Sequence, residues 1–215
     1  MAHSEKTIDY TTTNTYSTLN SLTDNTKNFW VVLHGIGYLS RYFINFFDAL
    51  PADENYIIAP QAPSKYYLNN AYRHVGASWL TKEETLQETK NVITYLDAVF
   101  TQERVPENCN LIVFGFSQGV SVAMRWVAQK KIRCSQLVLY AGGIPNELMP
   151  SDFDFLIKNG TKVTALVGNK DEYLSNEKQK SETGKIENLF AGRANQIVFE
   201  GGHELKKELI NNLVT

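Results

Sequence analysis

The chain has 215 residues, 43% of them hydrophobic and 20% charged, with a net charge of −2. That balance excludes an intrinsically disordered chain and gives no basic surface for nucleic acid or an anionic membrane. The amino terminus lacks an apolar segment of signal-peptide length, and no uncharged stretch is long enough to span a bilayer, so a single cytoplasmic domain is expected.

The Thr/Asn-rich opening holds the short alternating stretches KTIDY and TYSTL. Residues 1–28 are accordingly expected to form a tail with a short antiparallel hairpin. FWVVLHG (Phe29–Gly35) reads as a buried strand. YFINFFDAL then sets Phe43, Phe46, Phe47 and Leu50 on one helical face, and Pro51 stops the helix. NYIIAP is the next strand, and an irregular aromatic loop containing His74 follows it. A long helix begins near Thr81, which with Glu84 has the spacing of a capping box. Its apolar stripe is Leu86, Ile93, Leu96 and Phe100, and Pro106 ends it. NLIVFGF is a strand and QGVSVAMRWVAQKK a helix. The strands QLVLYAG and KVTALVGN come next, then a polar helix over about 175–190, the strand NQIVFEG and a last helix, ELKKELINNLV.

Short unbroken apolar runs are what strands buried on both faces require, and their alternation with helices predicts an α/β fold: a mainly parallel twisted sheet with helices on both faces. Ligands in such sheets bind at the carboxyl ends of the strands. Those ends carry His34-Gly35-Ile36-Gly37, Gly115-Phe116-Ser117-Gln118-Gly119, Asn169-Lys170-Asp171-Glu172 and Gly201-Gly202-His203. The chain order serine, acid, histidine is that of the α/β-hydrolase architecture. Only glycine neighbours permit the sharp strand-to-helix bend that would hold Ser117 as a nucleophile, so Gly115 and Gly119 acquire a reason. His203 is the expected general base, with His74 a weaker candidate. Asp171 is favoured as the acid over Glu172, Asp152 and Asp154. Backbone N–H groups of Ile36 and Gln118 are the expected oxyanion donors, with His34 shaping the turn that carries Ile36. Cys109 and Cys134 are expected to be free thiols, and no spacing of metal ligands is present.

LHGIG, APQAPS, GFSQG, VGNKDEY and GGHEL together resemble the phospholipase/carboxylesterase group of α/β-hydrolases, which includes the acyl-protein thioesterases. The resemblance runs from about Phe29 to Val214. It implies the same roles for Ser117, Asp171, His203, Ile36 and Gln118, and hydrolysis of small-molecule carboxylic esters, thioesters or lysophospholipids without a cofactor. The chain departs from the group at Tyr38, where an acidic residue is common, and at SWLT in the middle loop. No segment is long enough for a large cap domain, so an open site is expected, walled by Tyr38, Leu39, Tyr66, Tyr67 and Trp79. An amide hydrolase with the same triad and a non-catalytic binding protein on this fold are the competing readings.

Overall fold

The computed structural model describes residues 3–214. Its centre is a seven-stranded sheet in the order β1-β3-β2-β6-β7-β8-β9. The strands are β1 (Tyr16–Leu19), β2 (Asn28–Leu33), β3 (Asn55–Pro60), β6 (Asn110–Phe116), β7 (Gln136–Tyr140), β8 (Lys162–Gly168) and β9 (Asn195–Phe199). All neighbours pair in parallel except β1 and β3. The buried runs become the middle of the sheet because both of their faces are covered. In β2, Phe29, Val31 and Leu33 point into one apolar cluster and Trp30 and Val32 into another, as the two-residue period of a strand dictates. The first cluster is closed by α2 (Thr85–Glu103), α3 (Gln118–Lys130) and α5 (Asn176–Leu189). The second is closed by α1 (Ser40–Phe43) with the 3-10 turn Ile44–Phe47, and by α6 (Lys207–Asn211). Among the described residues no helix is long and apolar enough to cross a membrane.

The structure corrects several expectations. The opening segment contributes one strand rather than a hairpin. β1 finds its partner in β3, Tyr16 facing Pro60 and Leu19 facing Ile57, because the edge strand β3, already held by β2, presents a preformed row of N–H and C=O groups, whereas residues 3–15 form no strand. The expected 42–50 helix is one α-turn followed by a 3-10 turn, still burying Phe43, Phe47 and Leu50, with Phe46 only half-buried. Residues 64–78 form a two-stranded antiparallel hairpin, β4 (Ser64–Tyr67) with β5 (Val75–Ser78), rather than an irregular loop.

The capping box at Thr81 does not form. Glu84 is left-handed (φ 45°), and the Thr81 hydroxyl instead accepts from the Glu83 N–H at 3.2 Å. Local side-chain bonding has outcompeted the helix. As a result α2 starts at Thr85 and Leu86 is 84% exposed, outside the stripe that buries Val92, Ile93, Leu96 and Val99. Between β7 and β8 the chain holds only a 3-10 turn, Pro150–Asp152, and the short α4 (Asp154–Lys158). Both cysteines are free. Cys109 donates to the Thr26 carbonyl, and burial pushes the Cys134 thiol up to about 12.

Candidate active site

β6 passes into α3 through a single residue, Ser117, at φ 54° and ψ −119°. A non-glycine residue held there costs about 1–3 kcal/mol and persists only where the surroundings over-determine it. Here they do. A side chain on Gly119 would place its Cβ 2.1 Å from the Leu33 carbonyl oxygen, and one on Gly115 would sit 2.6 Å from the Gly119 carbonyl oxygen. The two glycines let β2, β6 and α3 meet at contact distance, and the Ser117 N–H is tied to the Tyr140 carbonyl at 2.9 Å. The hydroxyl is left at the sheet's carboxyl edge, at the amino end of α3.

Ser117 Oγ lies 2.8 Å from His203 Nε2, and His203 Nδ1 lies 2.8 Å from Asp171 Oδ2. The Asp171 side chain is fully buried. Its Oδ1 accepts the Tyr173 N–H at 2.9 Å, so both carboxylate oxygens are engaged. That arrangement assigns the proton to Nδ1 and leaves Nε2 an acceptor for the serine proton. The loops carrying the two groups are packed backbone on backbone: a Cβ on Gly168 would stand 2.4 Å from the carbonyl oxygens of both Gly201 and Gly202. Asn169 and Lys170 donate to the carbonyls of Phe199 and Gly201.

Glu172, the rival acid, points elsewhere. Its carboxylate accepts the His203 backbone N–H at 3.2 Å. Its own N–H, then that of His203, hold its carboxyl below the usual range. Asp152 accepts the Met149 N–H in the β7–β8 connection, Asp154 opens α4, and His74 is exposed on the β4–β5 hairpin. None of the three reaches Ser117 or His203 by a hydrogen bond.

The turn after β2 is built around His34. Its Nε2 accepts the Ala62 N–H at 3.1 Å and its Nδ1 is 2.8 Å from the Gly35 carbonyl, so the ring is neutral with the proton on Nδ1. Burial pushes it down to about 4. The sign of the consequence follows. Below the ordinary imidazole value near 6.5 the unfolded chain takes up a proton that the folded chain refuses until about pH 4. Stability is therefore lost as pH falls through that window, by up to about 3 kcal/mol at 1.36 kcal/mol per unit. Urea unfolding at pH 7 and pH 4.5 should show this loss in the natural chain and a flatter profile in His34→Gln. Parallel profiles would assign the acid sensitivity elsewhere.

Gln118 opens α3 directly after Ser117, and Ile36 follows Gly35, where a Cβ would stand 3.0 Å from Ser117 Cβ. Their backbone N–H groups have no acceptor among the described residues, which leaves two free donors at the bend. The neighbouring Gly37 N–H is taken by Ala77, which docks the β4–β5 hairpin onto the turn. The Gln118 side chain, to which the sequence assigned no role, completes the docking. It accepts the Trp79 N–H at 2.8 Å and donates to the Leu80 carbonyl at 2.7 Å.

The five expected pocket walls divide. Trp79 is fully buried and donates to the His34 carbonyl at 2.8 Å, and Leu39 is buried in the same cluster. Buried in the core, both have almost no surface to offer a ligand, and Trp79 instead holds the turn through the His34 carbonyl. Tyr38 is half-buried with its ring edge-on to Phe116 at 5.9 Å. Tyr66 and Tyr67 are exposed on the hairpin, the Tyr66 hydroxyl standing over Gly37. Tyr173 was missed. Its ring lies 4.8 Å from that of His203, while Phe116 covers His203 at 5.1 Å.

None of the curated proteins compared matches the chain. Solved structures match the fold. Acyl-protein thioesterase 2 of Zea mays superposes with a TM-score of 0.71 at 15% identity, over 94% of this chain and 96% of that one. Esterase PE8 gives 0.68 at 20% identity, over 94% and 98%. A phospholipase/carboxylesterase of Dyadobacter fermentans gives 0.65 at 21% identity, over 94% and 97%. The sequence model of the phospholipase/carboxylesterase family matches residues 14–215, nearly the whole chain, and the protein belongs to that family of α/β-hydrolases.

Proposed function

We propose that the protein hydrolyses carboxylic esters, with thioesters as the related substrates, through Ser117, His203 and Asp171. The observation that carries this reading is the run of two 2.8 Å contacts from Ser117 Oγ through His203 to Asp171 Oδ2. His203 Nε2 takes the proton from Ser117 as its oxygen attacks the acyl carbonyl. The carbonyl oxygen becomes an oxyanion held by the N–H groups of Ile36 and Gln118. The imidazolium then gives its proton to the departing alcohol or thiol, leaving an acyl-serine, and water activated by the same imidazole releases the acid. Asp171 holds the Nδ1-protonated tautomer and balances the imidazolium charge. The side chains alone supply every proton transfer in this scheme.

A fluorophosphonate should add its mass to the one peptide containing Ser117. A panel of nitrophenyl esters of graded acyl length, beside acyl-CoA thioesters and anilides, should show ester and thioester turnover exceeding anilide turnover. Absence of the adduct would overturn the nucleophile, and faster anilide than ester cleavage would replace the reading with an amide hydrolase.

A further inference from the structure

Tyr173 is 65% exposed, yet its backbone is tied down on every side. Its N–H donates to Asp171 Oδ1 at 2.9 Å and its carbonyl accepts from Lys178 Nζ at 3.2 Å. The next residue, Leu174, is buried, and its carbonyl accepts from Gln179 Nε2 at 2.9 Å. A ring left in water contributes little to the fold through burial, but this one is presented rigidly. It meets the His203 ring edge-on, with centroids 4.8 Å apart and planes at 70°. Phe116, itself buried, lies more nearly parallel to the same imidazole at 5.1 Å and 35°. His203 therefore has one aromatic neighbour sealed in the core and one open to whatever approaches the site.

We infer that Tyr173 is a specificity-determining residue for the leaving group, selecting esters whose alcohol carries a planar aromatic group. The inference rests on the proposed roles of Ser117 and His203. When the acyl-serine forms, the bond between the acyl carbon and the alcohol oxygen breaks and that oxygen takes the proton from His203 Nε2. It must then lie within hydrogen-bond reach of Nε2. The first atoms of the alcohol are thereby brought beside the imidazole's neighbours, of which Tyr173 is the exposed one. The carbonyl oxygen faces the Ile36 and Gln118 amides, so Tyr173 acts on the alcohol half of the substrate and not on the acyl half. Edge-to-face and offset contacts between rings supply the preference.

The test compares kcat/KM for benzyl acetate, ethyl acetate and ethyl hexanoate; the two alcohols are of similar acidity, so the benzyl-to-ethyl ratio reports contact with the ring. Tyr173→Ala should lower that ratio about fivefold, within the range of a single aromatic pair, and leave the hexanoate-to-acetate ratio within about twofold. Tyr173→Phe should retain the natural ratio. An unchanged benzyl-to-ethyl ratio in Tyr173→Ala overturns the inference, as does an equal loss on all three esters, which would mean that the ring serves His203 alone. Fluorophosphonate labelling run alongside separates the two levels. Labelling of Ser117 with an unchanged ratio sinks only the role of Tyr173, whereas a natural chain that does not label sinks the mechanism and this inference with it.

Discussion

Ser117→Ala should lower kcat toward carboxylic esters by about 10⁶ and leave the melting curve in place. The size of the effect follows from the proposed mechanism, in which the hydroxyl is the nucleophile: without it no acyl-enzyme forms, and what remains is water attack helped by the proposed oxyanion donors Ile36 and Gln118. The fold should tolerate the change because the strain at this position belongs to the backbone. The φ of 54° is imposed by the packing of β2, β6 and α3 around Gly115 and Gly119, and alanine inherits it without adding an atom. Steady-state kinetics with a nitrophenyl ester, together with thermal unfolding, decides the matter. Turnover within about tenfold of the natural chain would remove Ser117 from the chemistry.

Asp171→Asn should cost about 10⁴ in kcat, with Glu172→Gln costing less than about tenfold. Both oxygens of Asp171 face donors, the Tyr173 N–H at 2.9 Å and His203 Nδ1 at 2.8 Å. An amide has one acceptor to offer. If its oxygen keeps the Tyr173 N–H, its NH₂ faces His203, and the imidazole must turn to the tautomer that carries its proton on Nε2. That nitrogen then cannot take the serine proton. If the amide is reversed, two N–H donors face each other at Tyr173 in a fully buried place, which is costly. Glu172 differs because its bond is to the His203 backbone N–H, and the carbonyl of glutamine can still accept it. Measuring kcat for both variants ranks them, and the opposite ranking would move the acid to Glu172.

The central strands could be read directly from the chain because a parallel strand covered on both faces needs an unbroken apolar run, and Phe29–Leu33, Asn55–Pro60 and Asn110–Phe116 have one. The bend at Ser117 was equally local. Its two glycines stand where strand and helix approach, and their spacing states the geometry before any tertiary contact is known. The same holds for the order serine, acid, histidine at successive strand ends.

Other features were decided only by residues far apart in sequence. β1 looked like half of a hairpin until the edge of β3, some forty residues later, offered the better partner. Aromatic identity says nothing of which surface will cover a ring: Trp79 was enclosed by the turn at His34, while Tyr66 and Tyr67, on the same hairpin, stayed in water. Asp171 and Glu172 are chemically alike neighbours, and the packing of Gly168 against Gly201 and Gly202 decided that one carboxylate meets the His203 ring and the other its backbone. Tyr173 closes the VGNKDEY stretch, but nothing local to it says where its ring will lie. Its place beside His203, thirty positions later, exists only because β8 and β9 pair in register and bring their two loops to the same edge. Patterns of burial and close backbone approach are written locally and were determined by the sequence itself. Side-chain direction and exposure depend on what the rest of the chain places opposite, and that only the tertiary structure could decide.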